Sequence, residues 1–162
     1  MRSSATSDIT REMPKKIELR DPVSAATTGR MTRTAQRDNT GERALRSALH
    51  RRGLRFRLHH RVLVESRRTA DIAFPASKIA VFIDGCFWHG CPEHGTWPKN
   101  NRQWWRAKIE GNVARDRDTD RRLIDAGWTV MRVWTHEAVE TAARRIETVV
   151  RRSLRQRAKT RR

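Results

Sequence analysis

The segment IAVFID, residues 79 to 84, decides how the rest of the chain is arranged. It is a nearly continuous apolar run rich in β-branched residues, which is typical of a central strand buried on both faces. The segment WTVMRVW, residues 128 to 134, has the same character and predicts another buried strand. If these two strands lie parallel and adjacent, their carboxyl ends meet at one edge of a sheet.

Two shorter patterns predict further strands on the amino-terminal side of this segment. ADIAF, residues 70 to 74, is apolar apart from Asp71 and is ended by Pro75. LRFRLHHRVLV, residues 54 to 64, begins with apolar residues that alternate with arginines, which is typical of a half-buried strand.

Helical patterns separate these strands. The first helix is predicted from a capping box at Asn39 and Glu42 to a stop at Gly53. A long helix is predicted over 102–126, and a last one follows Thr135. The apolar stripe of the long helix is marked by Trp105, Ile109, Val113, Leu123 and Ile124. The order α-β-β-β-α-β-α predicts an α/β sandwich with a mixed sheet.

Composition points to a polyanionic partner. The 162 residues include 36 Lys and Arg against 18 Asp and Glu, for a net charge of +18. Nucleic acid is the first candidate for that partner, and an acidic membrane surface is the second. The sequence has no apolar run of about 20 residues and no secretion signal, so a soluble, intracellular protein is expected. We expect a largely disordered basic arm at 1–36, a folded domain at 37–152 and a basic tail at 153–162.

Cysteine and histidine residues follow the central strand at metal-ligand spacing. Cys86 and Cys91 are separated by four residues, and His94 follows. Soft and borderline ligands in so short a loop favour tetrahedral Zn²⁺ over a disulfide, although ordinary thiols and surface histidines are the alternative. Two residues compete for the fourth position: His89 within the loop and His136 beyond the last strand. Parallel pairing of the strands favours His136 and leaves His89 for chemistry.

Two aspartates stand at the ends of apolar strands in this basic chain. Asp71 and Asp84 would repel a phosphate unless a cation such as Mg²⁺ lay between them, which is the usual arrangement for phosphodiester hydrolysis. His89 could then deprotonate the attacking water. The alternative is that Asp71 pairs with Arg67 or Arg68.

Aromatic residues crowd the same region. Phe87, Trp88, Trp97, Trp104 and Trp105 fall within nineteen positions. The pattern of the long helix assigns Trp105 to the core. Phe87 and Trp88 lie in a glycine-flanked loop, where rings on a basic surface can wedge between base pairs.

The motifs ADIAF, VFIDGCFWHGCPEHGTWP, WWRAKIEGNVARDRD and GWTVMRVWTHE together resemble the very short patch repair (Vsr) endonucleases, over residues 31–150. The resemblance implies a restriction-endonuclease-like fold of the PD-(D/E)XK type with a zinc-stabilised loop. It also implies Mg²⁺-dependent nicking of the T strand at T:G mismatches left by deamination of 5-methylcytosine. One departure is RRTAD, residues 67 to 71, which lacks the Gly-Arg-Pro of the family before the metal aspartate.

The resemblance also implies roles for individual residues. Asp71 would bind the Mg²⁺ together with the backbone carbonyl of Ile83, and His89 would be the general base. Glu42 would support the water shell of the metal, and Asp84 would be either a ligand or a hydrogen-bond partner. The zinc positions would be Cys86, Cys91, His94 and His136, and the aromatic wedge would be Phe87, Trp88 and Trp105.

The partner implied is duplex DNA with a T:G mismatch, bound by a monomer in the bacterial cytoplasm and at the nucleoid, with mismatch-repair proteins as possible further partners. Two alternatives share part of this evidence. One is a restriction-type endonuclease without mismatch specificity, and the other is a non-catalytic zinc-stabilised DNA-binding module. Asp71 and His89 argue against the second alternative, because a binding module has no need of them.

Overall fold

The computed structural model describes residues 40–63 and 65–160. The predicted order of helices and strands is confirmed over this part of the chain. The elements are α1 (Thr40–Arg51), β1 (Arg57–Arg61), β2 (Thr69–Phe74), β3 (Ile79–Asp84), α2 (Arg102–Asp125), β4 (Thr129–Trp134) and α3 (Val139–Thr160). A single 3-10 turn, Pro75–Ser77, joins β2 to β3.

The four strands form one mixed sheet in the order β1-β2-β3-β4. β1 and β2 are antiparallel, as are β2 and β3, whereas β3 and β4 are parallel. The parallel register runs from Ile79 opposite Thr129 to Asp84 opposite Trp134. β4 therefore lies next to β3 as predicted, but at the edge of the sheet, so only its Met131 and Val133 are buried.

Helices cover both faces of the sheet, and the alternation of β3 shows which side chains meet which helices. Ile79 and Val81 join the larger core cluster, together with residues of α1 and α3. Ala80 and Phe82 belong to the second cluster, which contains Leu123 of α2. Because side chains alternate along a strand, Asp84 shares the α2 side with Ala80 and Phe82. The carboxylate that ends the central strand thus belongs to the face that α2 covers.

Two details of the predicted apolar pattern are wrong. Leu58 is 42% exposed and lies on β1, which is an edge strand of the sheet. Ile124 is 61% exposed although it was assigned to the apolar stripe of α2. Leu123 is fully buried against the sheet, and the next residue of a helix is rotated by about 100° away from it.

The end of α1 agrees with the prediction. Gly53 has a φ of +72°, its N–H donates to the His50 carbonyl at 2.9 Å, and Leu54 N–H donates to the Leu49 carbonyl at 3.1 Å. A left-handed residue is needed at this point, which favours glycine. Asn39, and with it the predicted capping box, lies outside the described residues, as does the predicted arm at 1–36.

The last helix extends into the predicted basic tail. Residues 153–160 continue α3 in helical conformation, and Ser153 Oγ donates to the Ser77 carbonyl at 3.0 Å. Within residues 40–63 and 65–160, no helix combines the length and the hydropathy needed to cross a bilayer.

Candidate active site and metal centre

The loop that leaves β3 is folded by short backbone contacts. His89 N–H donates to the Gly85 carbonyl at 3.1 Å, and Cys91 N–H donates to the Cys86 carbonyl at 2.9 Å. Gly90 has a φ of +63°, and a Cβ at this position would lie 3.3 Å from a methyl group of Ile109 on α2. Both the backbone conformation and the close approach of the helix therefore require glycine here.

The loop brings two cysteines and two histidines together. Cys86 Sγ lies 3.1 Å from His136 Nδ1, and Cys91 Sγ lies 3.8 Å from the same nitrogen and 3.9 Å from His94 Nδ1. One donor atom from each of the four side chains falls within 4.8 Å of the other three. A tetrahedral zinc ion needs donors roughly 3.3 to 3.8 Å apart, so the four side chains fit such an ion.

His136 reaches the loop because β4 runs parallel to β3. The Thr135 N–H donates to the Asp84 carbonyl at 3.0 Å, which holds the segment after β4 beside the segment after β3. The structure thus places His136, and not His89, with the two cysteines, as the sheet argument predicted. Glu93 Oε2 lies 3.5 Å from His136 Nε2 and can orient that ring.

Asp71 occupies the point where β2 and β3 separate. The pairing of these strands ends at Ile72 and Val81, and beyond it the Asp71 Oδ2 accepts a hydrogen bond from the Ile83 N–H at 2.8 Å. Burial raises the pKa of Asp71, and the negative charges of Glu42 and Asp84 add to this effect. Arg68, one of the two alternative partners, donates instead to Asp118 at 2.8 Å.

Glu42 lies in the first turn of α1 and is 7% exposed. Its Oε2 accepts a hydrogen bond from Arg46 Nη2 at 3.1 Å. The carboxylates of Glu42 and Asp71 are close enough for their charges to interact. A cation with oxygen ligands would relieve the repulsion between these two charges.

Asp84 is 2% exposed and is paired with an arginine. Arg132 Nη1 donates to both of its carboxylate oxygens at 2.8 Å. Burial raises the pKa of Asp84, and the hydrogen bond and the charge of Arg132 oppose this rise. His89 Nδ1 lies 3.5 Å from Asp84 Oδ1, so Asp84 also faces the predicted general base.

The principal partner of His89 is a residue that the sequence analysis missed. Asp116 Oδ2 of α2 lies 2.6 Å from His89 Nδ1. Burial would lower the pKa of His89, but the hydrogen bond to Asp116 and the charge of Asp84 outweigh it, so the pKa is raised. The pKa of Asp116 is lowered, because the contacts with His89 and Arg132 outweigh its own burial.

Three polar residues on one face of α2 contact the loop after β3 and Arg132 of β4. Asn112, Asp116 and Asp120 are spaced four residues apart and lie on one helix face. Asn112 Nδ2 donates to the Trp88 carbonyl at 3.0 Å, Asp116 contacts His89, and Asp120 accepts hydrogen bonds from Arg132 at 2.9 and 3.0 Å. The spacing of these three polar residues on one helix face is the sequence pattern that could have predicted a role for Asp116.

Four of the five aromatic residues form one cluster, with two rings from the loop and two from α2. The ring centroid of Phe87 lies 5.1 Å from that of Trp88 and 5.3 Å from that of Trp105, and Trp104 stacks edge-on against Trp105 at 4.7 Å. Phe87 and Trp88 are half-buried, whereas Trp105 is 5% exposed. Trp105 therefore lies beneath the two loop rings.

Comparisons with known proteins identify relatives of this chain. The family model of the DNA mismatch endonuclease Vsr matches residues 24–94. The type II nicking enzyme V.NaeI of Lentzea aerocolonigenes is 42% identical over 123 residues, which cover 75% of this chain and 74% of that protein. V.XorIIP of Xanthomonas oryzae pv. oryzae, also a type II nicking enzyme, is 40% identical over 70% of this chain and 82% of that protein.

A third relative carries the name of the family. The DNA mismatch endonuclease Vsr of Escherichia coli K12 is 34% identical over 108 residues, which cover 64% of this chain and 65% of that protein. These relatives define the class of the protein: it is a DNA endonuclease, a hydrolase of phosphodiester bonds. The chain belongs to the Vsr family of endonucleases.

Proposed function

We propose that this endonuclease nicks the T strand of duplex DNA at T:G mismatches produced by deamination of 5-methylcytosine, with Mg²⁺ as its catalytic cofactor. The observation that carries the proposal is the position of His89. It directly follows the half-buried rings of Phe87 and Trp88 in sequence, and its Nδ1 is held by Asp116 at 2.6 Å. One short loop thus carries both a group that can enter the base stack and a group that can accept a proton.

Asp71 is the proposed ligand of Mg²⁺, with the carbonyl of Ile83 as a second ligand and Glu42 as support for the water shell. These groups suit Mg²⁺ because they offer oxygen ligands. The charges of Glu42 and Asp84 also contribute to the raised pKa of Asp71, and a bound cation would relieve that repulsion. When bound there, Mg²⁺ would polarise the phosphoryl group and stabilise the leaving oxygen.

His89 is the proposed general base. Because Nδ1 is engaged by Asp116, the neutral ring presents the lone pair of Nε2, which can take a proton from the attacking water. The water oxygen then bonds to phosphorus, and the bond from phosphorus to the leaving oxygen breaks. Asp116 stabilises the imidazolium that forms, because its carboxylate remains ionised beside it.

Phe87 and Trp88 are the proposed wedge, and Trp105 completes it from below. Unstacking a base step costs a few kcal/mol, and the cost is least where pairing is already weak. A wedge next to the catalytic base therefore favours nicking at a mismatch over nicking at a normal pair. The hydrogen bond from Asn112 to the Trp88 carbonyl keeps the wedge against α2.

Zn²⁺ is the proposed ion at Cys86, Cys91, His94 and His136. The wedge and His89 lie between the two cysteines in sequence, so an ion held there would fix the loop that carries them. The mixed sheet, with Asp71 on the strand next to β3, supports a restriction-endonuclease-like architecture of the PD-(D/E)XK type. We further propose that the protein acts as a monomer and that its basic arm at 1–36 contacts DNA or mismatch-repair proteins.

The test is a strand-specific nicking assay with purified protein. Three duplexes that differ only at one position, T:G, T:A and C:G, are labelled on each strand and incubated with Mg²⁺ or with EDTA. The methyltransferase recognition sequence surrounds the test position in all three. We expect Mg²⁺-dependent cleavage of the T strand of the T:G duplex alone. Equal cutting of the T:A duplex would establish a restriction-type endonuclease instead.

A further inference from the structure

All three guanidinium nitrogens of Arg132 donate hydrogen bonds to carboxylates. Its Nη1 donates to both oxygens of Asp84 at 2.8 Å, while Nε and Nη2 donate to Asp120 at 3.0 and 2.9 Å. Nη2 also lies 3.5 Å from Asp116 Oδ1. A guanidinium has five N–H groups, and four of them are used in these hydrogen bonds. Arg132 therefore connects β4 to Asp84 at the end of β3 and to Asp120 on α2.

The fold explains why this side chain can reach two elements. Arg132 pairs with Phe82 in the parallel register of β3 and β4, and its guanidinium carbon lies 5.1 Å from the centre of the Phe82 ring. Asp84 is two residues further along β3 and projects on the same side of the sheet. That side is covered by α2, which supplies Asp116 and Asp120.

The same contacts define the role of Asp84. Both of its oxygens are occupied by Arg132, and one of them also lies 3.5 Å from His89 Nδ1. The Nδ1 of His89 thus lies between two carboxylates, those of Asp84 and Asp116. Arg132 contacts both of these carboxylates.

We infer that Arg132 is a positioning residue of the nicking reaction, because it holds Asp84 and Asp116 at the spacing that orients His89. This inference rests on the proposed role of His89 as general base. Loss of the guanidinium would leave Asp84 as a buried, unpaired carboxylate beside His89, and Asp84 and Asp116 would move apart through like-charge repulsion. Misplacement of a catalytic group by about 1 Å can slow a reaction by 10²-fold.

A second ion pair provides a matched control. Arg68 precedes β2 and also reaches α2, where its Nη1 donates to Asp118 at 2.8 Å and to Thr119 at 2.7 Å. It connects the sheet region to the same helix but contacts none of the groups around His89. Arg68→Met and Arg132→Met each remove one arginine connection to α2, and only Arg132→Met disturbs the proposed site.

The experiment compares four proteins: wild type, Arg132→Met, Arg68→Met and the double variant Arg132→Met/Asp84→Asn. Three quantities are measured for each: the thermal midpoint, the affinity for T:G duplex in EDTA, and the single-turnover nicking rate at saturating protein with Mg²⁺. We expect Arg132→Met to nick about 10²-fold more slowly than Arg68→Met, with affinities within about threefold of each other. The double variant should recover about tenfold of that rate, because an uncharged amide in place of the Asp84 carboxylate needs no counter-charge.

Equal nicking rates for Arg132→Met and Arg68→Met would overturn the inference, as would a double variant no faster than Arg132→Met. If Arg132→Met does not fold, the double variant is compared directly with Arg68→Met, and an equal rate again overturns the inference. Failure of the proposed function has a different signature. The wild type itself would then cut without regard to the mismatch or without Mg²⁺, and the Arg132 comparison would be made on whichever duplex it cuts.

Discussion

His89 Nδ1 and Asp116 Oδ2 are 2.6 Å apart, although 27 positions separate the two residues in the sequence. This contact joins the loop after the central strand to the helix that covers the sheet. It leaves only Nε2 of the ring available to accept a proton from water. The geometry of the proposed base is therefore decided by α2 as well as by the loop that carries it.

Asp116→Asn should lower the nicking rate by about 10²-fold, because the amide cannot stabilise the imidazolium that forms during attack. It should also shift the pH profile. The base works as the neutral ring, so the rate rises with pH through the raised pKa of His89. Removing the Asp116 charge lowers that pKa, and the acid limb should move to lower pH.

The control for this prediction is Asp118→Asn, on the same helix. Asp118 is ionised and accepts hydrogen bonds from Arg68, Arg121 and Arg122, which lie away from His89. Its nicking rate and pH profile should stay near those of the wild type. An Asp116→Asn profile identical to the wild type would contradict the assignment of His89 as base.

Asp71→Asn should abolish nicking and keep binding to T:G duplex, because it removes the proposed Mg²⁺ ligand. The amide oxygen can still accept the hydrogen bond from the Ile83 N–H. Burial raises the pKa of Asp71, so its ionised form destabilises the folded protein when no cation is present. The thermal midpoint in EDTA at neutral pH should therefore stay the same or rise. Retained nicking would refute the metal assignment.

Cys91→Ser should lower zinc content and thermal stability together, because metal affinity contributes to the folding free energy. The measurements are metal analysis of the purified protein and thermal denaturation before and after chelation. His60→Ala, on β1 away from the cluster, is the control and should retain one zinc ion per chain. A Cys91→Ser protein that folds normally and binds as much zinc as the wild type would exclude the zinc site.

The aromatic cluster should divide into two kinds of residue. Trp105→Ala should destabilise the protein by about 3 kcal/mol, because it removes a large buried side chain. Trp88→Ala should cost less stability and should reduce the preference for T:G over T:A duplex. Thermal denaturation and the paired nicking assays measure the two effects. If Trp88→Ala kept the full mismatch preference, the wedge would have to be sought elsewhere.

Much of the fold followed from local patterns. The bounds of β3 are those of the run IAVFID, and α2 begins at Arg102 as predicted, because apolar periodicity and glycine stops act over a few residues. The zinc-type cluster was also predictable, because three of its members lie within nine positions and the parallel pairing of β4 supplies His136. The exposure of Leu58 and Ile124 was not predicted, since it depends on the place of β1 at the edge of the sheet and on the helix face that meets the sheet.

The sequence by itself determined the order of the elements, the crowding of Cys86, His89 and Cys91 in one loop, and the family, because each of these is written in contiguous residues. Only the tertiary structure decided the charges around His89. Asp116 and Arg132 are brought to Asp84 by the packing of α2 and by the register of β4. Coulombic and hydrogen-bond energies depend on distances of a few ångströms, which no local pattern specifies for residues 32 and 48 positions from Asp84.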